Sequence, residues 1–519
     1  MPKTRQLLRG KITYSDAKAE ESNILHQLGY HSEQTRFFAR LRDRREWMKA
    51  AVTHHLGLRS SDECHVADTE NWLHGSFNVC VPVTIDSWGK RVLLRFPLPY
   101  RVGESFRPGN CDEKIRCEAG SYAWLQKNCP DVPIPKLYGF GLSTGETFTR
   151  LEFLPFFHRC FQLLRQYFLL WLKDSVPSNY VRHQSPDPIV DNGYLLIEFI
   201  EETRGSMLSN TWMEGRHDPK LRTNFFRDLS RLFLNITRIP LPKIGSFMID
   251  NDGFLHLINR PLSIEIPQLE NEKIPTEIPR NYTYSTVDSY VVDILGFHDN
   301  RFRYQPNAVN NLGDCAYQLS VLTAMRTIFP SILNRGFRRG PFVFAFTDLH
   351  QSNIFVDAEW HITCLVDLEW TCSQPVQMVG PPYWLTNKGV DQLDATEYDS
   401  IRQEFMEALT TEEQALTHSD CGTSQLHLSD FMKRSWETGA FWYSLALSSP
   451  SGLFTIFSKH IRPLFCKDYE EEFQVVMPFF FEKNVGYIAG RKLADREEYD
   501  KNLRQAFEDD SEAFEDNSA

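Results

Sequence analysis

The stretch PFVFAFTDLHQSNIFVDAEWHITCLVDLEW, Pro341–Trp370, holds the residues best equipped for chemistry. An apolar run ends in a polar loop that contains Asp348, His350, Gln351, Ser352 and Asn353. NIFVD then reads as a short strand, Asp357–Trp360 as a turn, and ITCLV as a second strand with Asp367 and Glu369 at its end. Such a hairpin carries the loop holding Asp348 and Asn353 beside Asp367. Three oxygen-bearing groups then converge at one end of a small sheet. Phosphoryl transfer needs a set of this kind, because its transition state is stabilised mainly by positioning and charge. One carboxylate orients or accepts the proton of an attacking hydroxyl. Two oxygen ligands hold Mg²⁺, a hard cation that often takes only one or two carboxylates besides phosphate and water.

The elements that must position these groups fall into two parts. Residues 1–45 are polar and irregular and read as an N-terminal extension. It ends in RLRDRREW, which leads into a helix. Residues 46–204 read as a strand-rich lobe. WLHGSFNVCVPVTID and RVLLRFPLP are strands around the turn Trp88–Lys90, followed by a helix at about Cys111–Asn128. Pro130, Pro133 and Pro135 force an extended segment. Lys136–Leu142 and Gly193–Ile200 read as further strands of a small mixed sheet. An aromatic, partly helical insert at 151–190 is expected to serve packing rather than membrane contact. Residues 205–490 read as a helical lobe. It is interrupted by a short hairpin with Asn251–Asp252–Gly253 at its tip and by the polar-loop hairpin. Residues 491–519 form an acidic tail expected to be disordered. Strand-rich then helix-rich order indicates an α+β fold with two lobes, a small sheet-rich N-lobe and a larger helical C-lobe.

Bulk properties exclude several classes. The 519 residues carry a net charge of -12, which argues against nucleic acid as the main partner. The 11 cysteines are scattered, with no C-x-x-C pair, as in a protein with reduced thiols. The longest apolar run, FQLLRQYFLLWL at Phe161–Leu172, is too short for a membrane span and holds Arg165 and Gln166. The N-terminus lacks a signal peptide's apolar core. A cytoplasmic location is the expectation. A mitochondrial presequence is the alternative that Lys3, Arg5, Arg9 and Lys11 allow, although acids follow from Asp16.

DLHQSN at 348–353, followed by LVDLEW at 365–370, resembles the catalytic loop and metal-binding segment of the aminoglycoside phosphotransferase and choline kinase group, within the protein-kinase-like superfamily. The chain is more closely similar to the large fungal branch of aminoglycoside-phosphotransferase-like proteins. HGSFN at 74–78, YLLIEFIEE at 194–202, NRPL at 259–262, HDNRFRYQPNAVNNLGDC at 298–315 and PPYWLT at 381–386 support the likeness, which covers about residues 65–490.

The resemblance implies a protein-kinase-like fold and an ATP- and Mg²⁺-dependent transfer of phosphate to a small-molecule hydroxyl. It implies Asp348 as catalytic base and Asn353 and Asp367 as Mg²⁺ ligands. Gly75, Ser76, Phe77 and Asn78 match the loop over the phosphates. Arg95 matches the phosphate-contacting basic residue and Glu118 its ion-pair partner. Glu198, Phe199 and Ile200 match the hinge that holds adenine through backbone groups. Phe346 stands where many relatives have His, Arg95 replaces the usual Lys, and the loop has Gly75 alone. These departures keep open a nucleotide-binding pseudokinase or scaffold. The absence of an A-P-E segment argues against a protein kinase. His350 is expected to hold its loop, and Glu369 either to assist the metal or to orient the loop. Taken singly, Asp348 could be a capping residue, Gly75 a hairpin glycine, and Arg95 with Glu118 a surface ion pair. Oligomeric state and acceptor are not legible.

Overall fold

The computed structural model describes residues 3–184, 193–419, 426–466 and 470–508. Among them, β1 (Thr4–Gln6) and β2 (Lys11–Thr13) form a hairpin. Eight strands follow: β3 (Cys64–Val66), β4 (Leu73–His74), β5 (Asn78–Ile85), β6 (Lys90–Pro97), β7 (Leu137–Gly141), β8 (Glu146–Arg150), β9 (Tyr180–Gln184) and β10 (Tyr194–Glu198). They build one sheet in the order β3-β5-β6-β10-β7-β8-β9, with β4 alongside β5. The sequence led us to expect a small mixed sheet. Every pair in this one is antiparallel. The connections explain why: β5 to β6 and β7 to β8 are tight turns, which join antiparallel neighbours only. β5, NVCVPVTI, is almost wholly buried. Val79, Val81 and Val83 join the same core as Met48 and Val52 of the helix Arg45–Leu56.

Beyond Glu198 the strands are short and helices dominate, so the chain is α+β with a sheet-rich N-terminal region and a helical C-terminal region. β11 (Ser206–Met207) precedes the hairpin of β12 (Ser246–Ile249) and β13 (Leu255–Asn259). β14 (Phe342–Phe346) is followed by β15 (Ile354–Val356), β16 (Ile362–Leu365) and β17 (Thr371–Pro375). β14 pairs with β17, and β11 pairs with the β15–β16 hairpin. Long helices Pro219–Thr237, Val287–Tyr304, Leu312–Ile332 and Ala395–Ser419 make up much of this region, and the first packs on β14 and β16.

The helix Asn110–Asn128 joins the two regions. Gly120 lets it approach β12, since a Cβ there would lie 2.4 Å from the Phe247 carbonyl oxygen. Trp124 stacks on Phe344 of β14 at 4.3 Å, a pairing worth about 0.5–1.5 kcal/mol beyond area burial. At the other end of this helix, buried Arg260 reaches Glu113 at 2.8 Å and Glu270 at 2.7 Å. Arg280 and Arg107 add contacts to the same two carboxylates. β14 is therefore fixed from behind, and the loop after it starts from a rigid point.

Three expectations fail. Residues 3–45 are not irregular: they hold the β1–β2 hairpin and the helices Tyr14–Ala19, Ile24–Leu28 and Tyr30–Arg42. The acidic end is not disordered from 491, because the helix Val485–Glu508 runs through it; residues 509–519 lie outside the described residues. The two errors share one cause. Tyr499, Leu503 and Phe507, at helical spacing, bury themselves against Ala17 and Ile24, and the backbone N–H of Ile24 donates to the Tyr499 hydroxyl. Each segment supplies the apolar face that the other needs. The third failure concerns only the helical part of the aromatic insert, since Leu151 and Tyr180 of the same insert are buried as expected and residues 185–190 lie outside the described residues. Its helix, Phe156–Trp171, buries none of its side chains.

Candidate phosphoryl-transfer site

The β15–β16 hairpin sets the geometry. Ile354 pairs with Leu365, and the N–H of Val366 donates to the Asn353 carbonyl at 2.9 Å, so Asn353 and Asp367 flank the same end of the hairpin. The Asn353 side-chain amide donates to the Asp348 carbonyl at 2.8 Å, which ties the loop back on itself. Asp367 has φ +58°, a left-handed conformation that Asp tolerates better than most residues. Such backbone costs about 1–3 kcal/mol and persists where surrounding contacts enforce it. Here those contacts are ionic.

Arg95, on β6, is 4% exposed and reaches three carboxylates. It donates to Asp367, bonds Glu369 at 2.6 Å, and stands 3.5 Å from Glu118. Lys114, equally buried, binds Glu369 at 2.5 Å and the Asn78 side-chain oxygen at 2.5 Å. The Asn78 amide closes the ring by donating to Glu369 at 2.6 Å. The two buried carboxylates diverge electrostatically. Burial raises Glu118, and neither of its oxygens has a hydrogen bond to offset that. Burial also pushes Glu369 up, but Lys114 and Arg95, bonded directly to it, carry it down to about 2. Glu369 therefore stays charged and holds the sheet against the β15–β16 hairpin. The structure favours its loop-orienting role.

The remaining nucleotide-site expectations are less gathered. Gly75 and Ser76 sit exposed between β4 and β5, with the Ser76 carbonyl accepting from Arg101 at 2.8 Å. Gly75 has ordinary φ and open space around its Cβ position, so the backbone itself does not demand glycine there. Phe77 turns inward, edge-on to Trp370 at 5.1 Å. Glu198, at the end of β10, accepts from the Lys136 N–H at 3.1 Å and pairs with Arg204 at 3.3 Å. Phe199 lies under the Arg91 guanidinium at 3.8 Å. Glu198, Phe199 and Ile200 thus form the strap that leaves the sheet for the helical region.

Asp348 lies between this ionic cluster and a cavity of about 380 Å³. Glu265, Tyr290, Phe346, Tyr383 and Trp384 line it together with Asp348. Burial, then the charges of Glu369, Asp367 and Glu265, push the Asp348 carboxyl up to about 7. Burial also raises Glu265. The loop is clamped from one side: the Trp384 indole donates to the Leu349 carbonyl at 2.5 Å, and Gln351 donates to the Trp384 carbonyl at 3.2 Å. His350 packs near Trp384 with its ring nitrogen against Ser352, a structural contact.

The chain is similar to a known small-molecule kinase only at a distance. A solved structure of Plasmodium vivax ethanolamine kinase superposes with a TM-score of 0.37 and 12% identity, over 83% of this chain and 86% of that one. No family model matches the chain. No curated protein matches it either.

Two site residues escape sequence reasoning. Lys114 had a signal: it shares a helix face with Glu118, Ser121 and Leu125, so two opposite charges at i, i+4 lie within the buried stripe of the helix. Glu265 had none, since nothing in SIEIPQ marks it out. Among the described residues no cluster of three His, Cys, Asp or Glu side chains is arranged to hold a metal. The available oxygens are an amide and one carboxylate, Asn353 and Asp367. The Asp367 side chain is 38% exposed, so it can meet a cation from the cleft. That sparse hard-oxygen set fits Mg²⁺, which completes its shell with phosphate and water.

Proposed function

We propose that this chain is an ATP- and Mg²⁺-dependent phosphotransferase acting on the hydroxyl group of a small molecule. The observation that carries the reading is the position of Asp348: its carboxyl, raised to about 7, separates an aromatic-walled cavity from the Arg95–Asp367–Glu369 cluster. A general base works best with its pKa near the operating pH. In this reading Asp348 takes the proton of an acceptor hydroxyl held in the cavity. Asn353 and Asp367 offer the oxygens that hold Mg²⁺, and bound Mg²⁺ neutralises charge on the nucleotide phosphates. Arg95 exchanges Asp367 for a phosphate oxygen while Glu118 and Glu369 keep it oriented. The backbone of Glu198, Phe199 and Ile200 receives the adenine, and Gly75, Ser76, Phe77 and Asn78 cover the phosphates. A concave site of about 380 Å³ suits a small molecule rather than a protein substrate.

One observation favours a second reading, a nucleotide-binding pseudokinase or scaffold. Arg95 ties up Asp367, the carboxylate that the metal requires. The experiment that separates the two is a screen of hydroxylated metabolites for ATP-dependent phosphorylation, with ATP hydrolysis measured in parallel. Turnover that disappears in Asp348→Ala supports the enzyme. Thermal stabilisation by ATP with Mg²⁺ but no turnover under any condition supports the pseudokinase.

A further inference from the structure

The helix Phe156–Trp171 reverses the usual amphipathic arrangement. At 100° per residue, its large apolar side chains and those next to it occupy an arc of roughly 200°. Ten of them, from Phe156 to Leu172, are between 48% and 83% exposed. The half-buried side opposite the arc holds Gln162 and Gln166 together with Leu169. Gln166 donates to the Ser178 carbonyl at 3.5 Å, and the Arg165 guanidinium lies 5.8 Å from the Phe254 ring centre, on the β12–β13 hairpin. A helix that only packed on its own protein would turn the other way, because burying the apolar side is the main stabilising term available to it.

We infer that this helix docks the protein onto an anionic phospholipid surface. Three observations select that occupant. The exposed arc is about twice as wide as the apolar stripe by which a helix packs on a partner protein or a second copy. Half of it would stay wet in a helix–helix contact, whereas a helix lying 5–10 Å deep in a headgroup layer covers such an arc. The composition fits, with Tyr167 and Trp171 among Phe and Leu, as interfacial helices have. The charge fits as well. Arg159 and Arg165 border the two edges of the apolar arc, and no acid occurs from Phe156 to Lys173, in a chain of net charge -12. Arg159 and Arg165 are only half-buried, and their long side chains can swing from the rim to phosphate headgroups while the rings between them enter the acyl boundary. The helix lies on the bilayer and does not cross it: no helix among the described residues is long and apolar enough to do so.

The test uses the full chain and flotation with vesicles of phosphatidylcholine containing about one-third phosphatidylserine. The unaltered protein floats with the vesicles. Combined Phe157→Glu, Leu164→Glu and Trp171→Glu substitution weakens binding at least about tenfold, with the thermal unfolding midpoint unchanged because all three side chains face solvent. The same three positions changed to Ser add no charge and lose binding to a similar degree, which separates loss of insertion from repulsion. The inference is overturned if the unaltered protein stays with the free fraction, or if the Ser variant floats as well as the original. It is equally overturned if light scattering shows a dimer that the Glu variant dissolves, since the arc would then belong to a second copy.

Discussion

Arg95 of the sheet donates to Asp367 of the β15–β16 hairpin, two residues 272 apart in sequence. Glu369 and Glu118 share the same guanidinium. A single buried cation therefore spans the two regions between which the nucleotide is proposed to lie. Because a guanidinium presents its donors as a fork and an ammonium does not, Lys cannot replace all three contacts. Arg95→Met is expected to weaken ATP·Mg²⁺ binding at least about tenfold, and Arg95→Lys to restore part of it. Isothermal titration with ATP, with and without Mg²⁺, checks this. Unchanged affinity in Arg95→Met would remove Arg95 from the site.

Asp348 belongs to a different step. Asp348→Asn keeps the shape of the loop, since the Asp348 carbonyl that receives the Asn353 amide is main chain. Turnover is expected to fall by about a hundredfold to ten-thousandfold, the usual contribution of a positioned general base. The thermal shift produced by ATP with Mg²⁺ should stay or grow, because a negative charge near the phosphates is removed.

These two residues also show what was legible in the sequence. Asp348, Asn353 and Asp367 stand in a short hairpin, so spacing alone carries them together. Arg95 and Glu118 sit on a strand and the helix that follows it, and the two come within 3.5 Å. Lys114 was hidden because a charged side chain in a helix is read as solvent-facing, and only the folded cluster supplies the Glu369 and Asn78 partners that let it be buried. The pairing of residues 3–45 with the helix Val485–Glu508 was hidden for a related reason. Neither segment has a core of its own, and no local pattern announces a partner almost five hundred residues away. The outward face of the helix Phe156–Trp171 could not be read either. Periodicity shows that a helix is two-faced and says nothing about which face meets the protein.

The pH dependence of kcat/KM follows from the Asp348 carboxyl at about 7. A base must be deprotonated to act. The rate should therefore fall about tenfold per pH unit below about 7 and level off above it. A profile flat from pH 5 to 8 would mean that no such group titrates in the free enzyme. Rapid kinetics at constant ionic strength measures it, with the acceptor found by the screen.

The same group makes stability depend on pH in the opposite sense. Unfolded Asp348 releases its proton near 3.8 and folded Asp348 near 7. Between these values the folded state holds more protons, so stability falls as pH rises through the window. Above it, Asp348→Asn should be more stable than the original by on the order of 2 kcal/mol, reduced from the full shift because the carboxyl is partly solvated. Near pH 4 the two should be equal. Urea unfolding at both ends of the window gives the comparison, and equal midpoints at pH 8 would show that burial does not strain the carboxylate.

Arg260 tests the scaffold behind the site without touching the chemistry. It is fully buried between Glu113 of the helix Asn110–Asn128 and Glu270, and burial is outweighed at Glu270 by Arg260 and its hydrogen bonds, which bring that carboxyl down to about 2. Removing one partner from a buried pair leaves the other charge stranded, at a cost of about 3–5 kcal/mol. Arg260→Met should cost that much in urea unfolding, although Met fills most of the space and leaves little cavity. Arg107 and Arg280 remain on the two carboxylates, so the loss should lie at the lower end of the range. As pH falls from 4.5 to about 2 the unfolded chain takes up protons before folded Glu270 does, so the variant should lose its disadvantage progressively and in full only near 2, where the original also forfeits its ion pair. At neutral pH the folded fraction should turn over at the original rate, for no atom of Arg260 reaches Asp348 or Arg95. A variant that unfolds normally but loses turnover would instead place the Glu113–Glu270 network inside the catalytic machinery.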